Sequence, residues 1–201
     1  MTRMPRLILL VVAACSCLHP ASVSAIGATS LIDGGFDANS RRARVELAGE
    51  MLVEVNRLAE VVSPPRPYDI AWVAEQHAAL SSLDAGNGFS TRVDLFYRTP
   101  AFQHVKLYNV LRELRNAVAC VVEPNVTLRR ELSCWAAAAL LLADRSTFVD
   151  SVSALKQAKR LPEEAVRDHV GTAEGLATRY SLYARGINEY LVLPYLRGDL
   201  R

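Results

Sequence analysis

Lysine is almost missing from this chain: three lysines stand against twenty arginines in 201 residues. The cations are therefore planar, forked donors rather than compact ammonium charges, although a GC-rich genome produces the same bias. Net charge is missing as well. Residues 1–25 hold Arg3 and Arg6 and no acid, which leaves 21 basic and 21 acidic side chains beyond them. A domain without a net field has little to draw in nucleic acid or an anionic bilayer from a distance. No nucleic-acid partner is expected.

The usual vehicles of catalysis are also scarce. Beyond residue 25 the histidines are His77, His104 and His169, and none stands in the HxxxH or HExxH spacing that sets two imidazoles on one helical face around a metal. His169 beside Asp168, with Glu164 four residues before Asp168, is the nearest approach to a ligand cluster, and it reads as an ordinary surface or half-buried histidine. There is no GxSxG elbow, no Walker loop and no CxxC beyond residue 25. Asp84 with Gly86 and Gly88 fits neither a GxGxxG turn nor an EF-hand and reads as a plain turn. Glu46, Glu50 and Glu54 stand four apart, the proximity that general acid–base carboxylates need. They lie off the apolar stripe of their helix, so they read as a solvated face. Arg112 and Arg115, or Arg179 and Arg185, could enclose a charged substrate, but their spacing does not separate them from surface arginines. No catalytic residue, metal or cofactor is assigned. No segment beyond the first 25 residues reaches eighteen uninterrupted apolar residues. The greasiest, 136–143, ends at Asp144 and Arg145, so no membrane span is expected.

What is present begins with an address. Residues 1–25 read as a secretory signal: Arg3 and Arg6, an apolar run over 7–18, then Val23-Ser24-Ala25 with small residues where a signal peptidase cuts. Cleavage after Ala25 would remove Cys15 and Cys17. A rival reading exists, because Val12-Ala13-Ala14-Cys15 resembles the lipobox of bacterial lipoproteins, and that resemblance implies a lipid anchor at Cys15. On either reading the protein is exported, secreted or periplasmic. Cys120 and Cys134 then meet an oxidising compartment and are expected to bond. Asn125-Val126-Thr127 is an N-glycosylation sequon in a turn, which makes Asn125 a candidate acceptor in an organism that glycosylates.

The rest of the chain is patterned as helix. Val166, Val170, Ala173, Ala177, Tyr180, Ala184, Ile187 and Leu191 recur at alternating steps of four and three, with His169, Leu176, Tyr183 and Tyr190 as a further row. Such rows share one face of an α-helix and demand a partner surface. Pro162 suits a first turn and Pro194 cannot continue the ladder, so a continuous helix is expected over 162–193. A second stripe (Val45, Ala48, Met51, Leu52, Val55, Leu58, Ala59, Val62) predicts a helix over 41–62 with Asn39 or Ser40 as its cap, stopped by prolines from Pro64. A shorter helix is expected over 69–83, and 92–97 reads as either a brief strand or part of a helix. Thr99 and Pro100 open a helix to about Val122, with Leu107, Val110, Leu111, Leu114, Val118 and Val121 inward. Thr127 caps the next, whose stripe runs from Leu128 to Leu155 with a bend near 144–147. Gly171, Gly175 and Gly186 lie inside the last helix and mark either a close crossing of another backbone or a locally weakened helix.

The expected fold is therefore all-α: a helical bundle with three long helices, one or two short ones, and a long antiparallel C-terminal helical hairpin. Residues 26–38 form a flexible leader and 39–201 a single domain. In layout alone this resembles the long-chain helical cytokines, with an early helix, a proline-containing connection and then closely joined helices; the tight final hairpin departs from their plan. The expected function is a secreted, non-enzymatic bundle that binds another protein. One alternative is a periplasmic or lipid-anchored inhibitor, immunity or adaptor protein. Another is a small helical enzyme or apolar-ligand carrier with Trp135, Tyr180, Tyr183 and Tyr190 lining the bundle.

Overall fold

The computed structural model describes residues 37–82, 89–161 and 163–199. The expected signal over 1–25 with Cys15, most of the leader over 26–38, the 84–88 turn and the side chains of Val166 and Asp168 lie outside the described residues. Sequence order gives α1 (Arg41–Val61), α2 (Pro67–Ser81), α3 (Phe89–Tyr97), α4 (Pro100–Val122), α5 (Leu128–Leu142), α6 (Arg145–Gln157), α7 (Glu163–Gly175), α8 (Ser181–Ile187) and α9 (Leu193–Arg197). Two π-turns, Leu176–Tyr180 and Asn188–Val192, join α7, α8 and α9 into one rod. There is no strand among the described residues, and the fold is all-α.

The starts of these helices follow from local chemistry. The side chains of Ser40, Thr99, Thr127 and Asp144 accept hydrogen bonds from the backbone N–H groups of Ala43, Phe102, Arg130 and Ser146. Each satisfies a donor that the first turn leaves open. Pro67 and Pro100 sit in first turns, where a missing N–H is no loss. The 92–97 segment is helical. As part of α3 it carries Phe96 into an aromatic cluster with Trp72, Tyr97 and Phe102, at centroid separations of 6.1, 5.3 and 4.9 Å.

α1, α4, the α5–α6 pair and the rod pack side by side. Neighbours run antiparallel. Arg41 at the start of α1 donates to the Glu123 carbonyl just past the end of α4, and the Ser63 carbonyl after α1 bonds His104 near the start of α4. Lys106 on α4 pairs with Asp144 beyond the end of α5, while Cys120 and Cys134 join the other ends. Arg179 and Thr172 of the rod reach Glu50 and Glu54 of α1 respectively. The first part of the rod lies on α6 and its later part on α5. Met51, Leu111, Trp135, Phe148, Leu176 and Ile187, from five helices and the first π-turn, are fully buried between the layers. α2 and α3 close one end over the start of α4.

The expected bend near 144–147 is a break between two helices meeting at 52°, with Ala143 closing the first and Asp144 capping the second. Two expectations are corrected. The final helix does not stop near Leu193. In the second π-turn the Leu193 N–H bonds the Asn188 carbonyl five residues back. That wider spacing opens the groove in which a proline ring otherwise strikes a carbonyl, so Pro194 passes and the helix reaches Arg197. The true stop is Gly198, in the left-handed region at φ 80°, with the Asp199 N–H returning to the Pro194 carbonyl. Finally, Leu128, Val170 and Tyr190 are exposed. Leu128 is the first residue of α5, where neighbours no longer cover it. One step of three back from Ala173 carries Val170 past the rim of the buried stripe. The second π-turn gives the inner positions to Leu191 and Val192 in place of Tyr190.

Candidate functional site

Cys120 and Cys134 form the expected disulfide, with their Cα atoms 6.4 Å apart, inside the ordinary span for such a bond. Asn125 is exposed in the turn that the disulfide closes, and the hydroxyl of Thr127 in the same sequon caps α5.

The glutamates read as a solvated face divide. Glu46 is on the surface, paired with Arg42. Glu50 is exposed as well, paired there with the exposed Arg179 of the rod at 3.0 Å, whereas Glu54 is half-buried and accepts from the Thr172 hydroxyl at 3.1 Å. Arg179 also lies 5.3 Å above the Tyr180 ring. Burial pushes the Tyr180 phenol up, an effect that the Arg179 charge opposes and that Glu50 and Glu54 reinforce. Glu50, Glu54, Thr172, Arg179 and Tyr180 together form a polar seam between α1 and the rod.

The remaining candidates are dispersed. His104 bonds the Ser63 carbonyl at 2.8 Å through Nε2. Among the described residues no group of three His, Cys, Asp or Glu side chains is placed to hold a metal. Arg112, Arg115, Arg179 and Arg185 are exposed on helix surfaces; Arg112 pairs with Glu113 and Arg185 with Glu189. Trp135 and Tyr180 are buried, Tyr183 is half-buried and Tyr190 faces solvent, so these aromatics line no single chamber.

Three buried or half-buried ionic clusters went unread in the sequence. Arg44 meets Glu131 at 2.6 Å, both buried. Each stands in an apolar row, Arg44 before Ala48 and Met51, and Glu131 before Trp135 and Ala138, and that placement was the available signal. Asp69, in line with Val73, is gripped by Arg66 at 2.9 Å and by Arg160 at 3.2 Å, which ties α2 to the turn after α6. The Arg66 hydrogen bond lowers its pKa against the opposing effect of burial, and Arg160 lowers it further. Asp144 receives Lys106, Ser146 and Thr147. Burial pushes its carboxyl up, but these donors outweigh burial and hold it at about 2.

The pH consequence has a definite sign. Both aspartates have folded-state pKa values below the unfolded value, so their stabilisation is present above about pH 4 and is lost as pH falls through the folded-state value, about 2 for Asp144. Asp144→Asn is expected to melt below the parent at pH 7, and the gap between the two melting curves is expected to narrow by pH 2. A gap independent of pH would mean that the capping geometry, not the charge, does the holding.

Compared with protein-family models, curated proteins and solved structures, the chain matches none. The feature that remains is a surface. Leu182, Tyr190, Leu193 and Leu196 are exposed along the later part of the rod, and Leu140 is exposed on α5, the helix on which α8 and the second π-turn rest.

Proposed function

We propose that this chain is an exported, non-enzymatic helical bundle that acts by binding another protein through the outer face of its C-terminal rod. The supporting observation is the row of apolar side chains just described, with Leu140 and Leu196 at 70% and 72% exposure. Single exposed leucines are commonplace, whereas a row at helical spacing marks a contact surface. The signal-like residues 1–25 and the disulfide between Cys120 and Cys134 agree with export. The cytokine layout is set aside: neighbouring helices here run up and down in turn, whereas that plan needs two long crossovers.

The test has two parts. Intact mass of the product from a secreting host reads cleavage after Ala25, acylation at Cys15 and a glycan on Asn125. A photo-crosslinking group placed at Leu182 then reports contact, with the same group at Leu95 on α3 as control. Crosslinks from position 182 that disappear with Leu193→Asp, at unchanged melting temperature, are expected. Equal labelling from both positions would overturn the reading.

A further inference from the structure

Adjacent basic residues occur three times in this chain, at Arg41-Arg42, Arg129-Arg130 and Lys159-Arg160. The first two pairs lie in the first turns of α1 and α5. The third stands outside any helix, in the turn between α6 and α7. From its chemistry and its setting we infer that this turn is a processing site, cut between Arg160 and Leu161 by a serine endoprotease that recognises paired basic residues. The inference goes beyond the binding function and does not depend on it.

The turn offers its cations to solvent. Lys156, Gln157, Ala158 and Lys159 are exposed in succession. Two of the chain's three lysines stand here, and neither has an ion-pair partner among the described residues, whereas Lys106 pairs with Asp144. Lys159 also sits in the left-handed region at φ 51°, a conformation that favours glycine over a residue with a Cβ. The backbone there calls for glycine, so the lysine answers to something other than the turn.

The bond itself is reached by a local opening. The N–H groups of Ala158, Lys159 and Arg160 close the end of α6 on the carbonyls of Ala154, Lys156 and Leu155. Arg160, a quarter exposed, is held by Asp69 at 3.2 Å, and Leu161 is buried. Releasing these few contacts frees the stretch without unfolding the long helices, the kind of opening that admits a protease at an exposed turn. A carboxylate in the protease pocket, the usual selector of a cationic side chain, then takes Arg160 in place of Asp69. Hydrolysis adds water across the bond. The carbon–nitrogen bond breaks, the Arg160 carbonyl carbon gains the hydroxyl, the Leu161 nitrogen gains the hydrogen, and the new acid's proton passes to that amine. The Cys120–Cys134 disulfide lies wholly before the cut. The rod is then held without a covalent link, by packing and by the Arg179–Glu50 and Thr172–Glu54 contacts.

The test is digestion of the folded full chain by a subtilisin-type endoprotease specific for paired basic residues, read by intact mass and N-terminal sequencing. The first cut is expected after Arg160, giving a fragment that begins Leu161-Pro162-Glu163. Lys159→Gln is expected to slow that cut at least about tenfold, the loss of a charge that the enzyme pocket recognises, and Lys159→Arg to keep the parental rate. Trypsin, which needs a single cation, is expected to cut both variants after Arg160 as fast as the parent, because the turn opens equally in all three. A first cut after Arg42 or Arg130 would overturn the inference. So would cleavage after Arg160 that appears only as the whole protein melts, or Lys159→Gln cut at the parental rate. A slowing of Lys159→Gln shared by trypsin would overturn it as well, by tracing the effect to the turn rather than to the basic pair.

Discussion

Glu131→Ala is expected to cost about 3–5 kcal/mol of unfolding free energy, the range for breaking a buried ion pair from one side. Its carboxylate is fully buried and accepts from Arg44 Nε at 2.6 Å, while its second oxygen faces Arg41 Nε at 3.5 Å without a hydrogen bond. Removing it strands the Arg44 guanidinium, which is 3% exposed, with no counter-charge. Arg44→Ala should fall in the same range and do one thing more. Arg44 Nη1 donates to the Ala38 and Asn39 carbonyls at 2.8 Å, so this variant also releases the segment that leads into α1. Because desolvation opposes the attraction, the double replacement Arg44→Met with Glu131→Leu should recover most of the loss. Urea unfolding of the four proteins reads these differences. Single-variant costs below about 1 kcal/mol would show a solvated pair, since exposed pairs contribute that little.

That pair also shows where sequence reading reached its limit. Apolar rows located α1, α4, α5 and the rod, because side chains at helical spacing must find cover whatever the partner. Caps were legible for a similar reason: Ser40, Thr99 and Thr127 act on backbone two or three residues away. Partnership across the bundle was not legible. Arg44 and Glu131 are 87 positions apart, and a charged residue inside an apolar row signals burial without naming its counter-ion. Asp69 with Arg160, and Glu50 with Arg179, were hidden in the same way. The π-turns were hidden for another reason. Their effect is a shift in phase by part of a residue, too small to disturb a pattern of fours and threes but large enough to admit Pro194 and turn Tyr190 outward. Gly198 as the stop was readable, since a glycine just past an apolar stretch is the common helix terminator, and Pro194 drew attention from it.

Replacing both Cys120 and Cys134 with alanine is expected to remove about 3 kcal/mol, from the chain entropy restored to a loop of this length. For a domain of this size that corresponds to a fall of about 6–12 °C in melting temperature. Adding reductant to the parent should reproduce the fall, and adding it to the double variant should change nothing. Coincident parent melts with and without reductant, while both thiols alkylate, would show that the bond does not hold the fold. The disulfide and the Arg44–Glu131 pair fasten the same stretch of α5, one joining it to α4 and the other to α1. Their losses should therefore not add. Once reduction lets the start of α5 loosen in the unfolding equilibrium, Glu131 has less fixed structure to lose, and Glu131→Ala should cost less in the reduced protein than in the oxidised one. A protein fastened this way reaches full stability only where glutathione and thioredoxin do not keep thiols reduced. The stability difference between oxidised and reduced protein thus measures how far this fold depends on an oxidising environment.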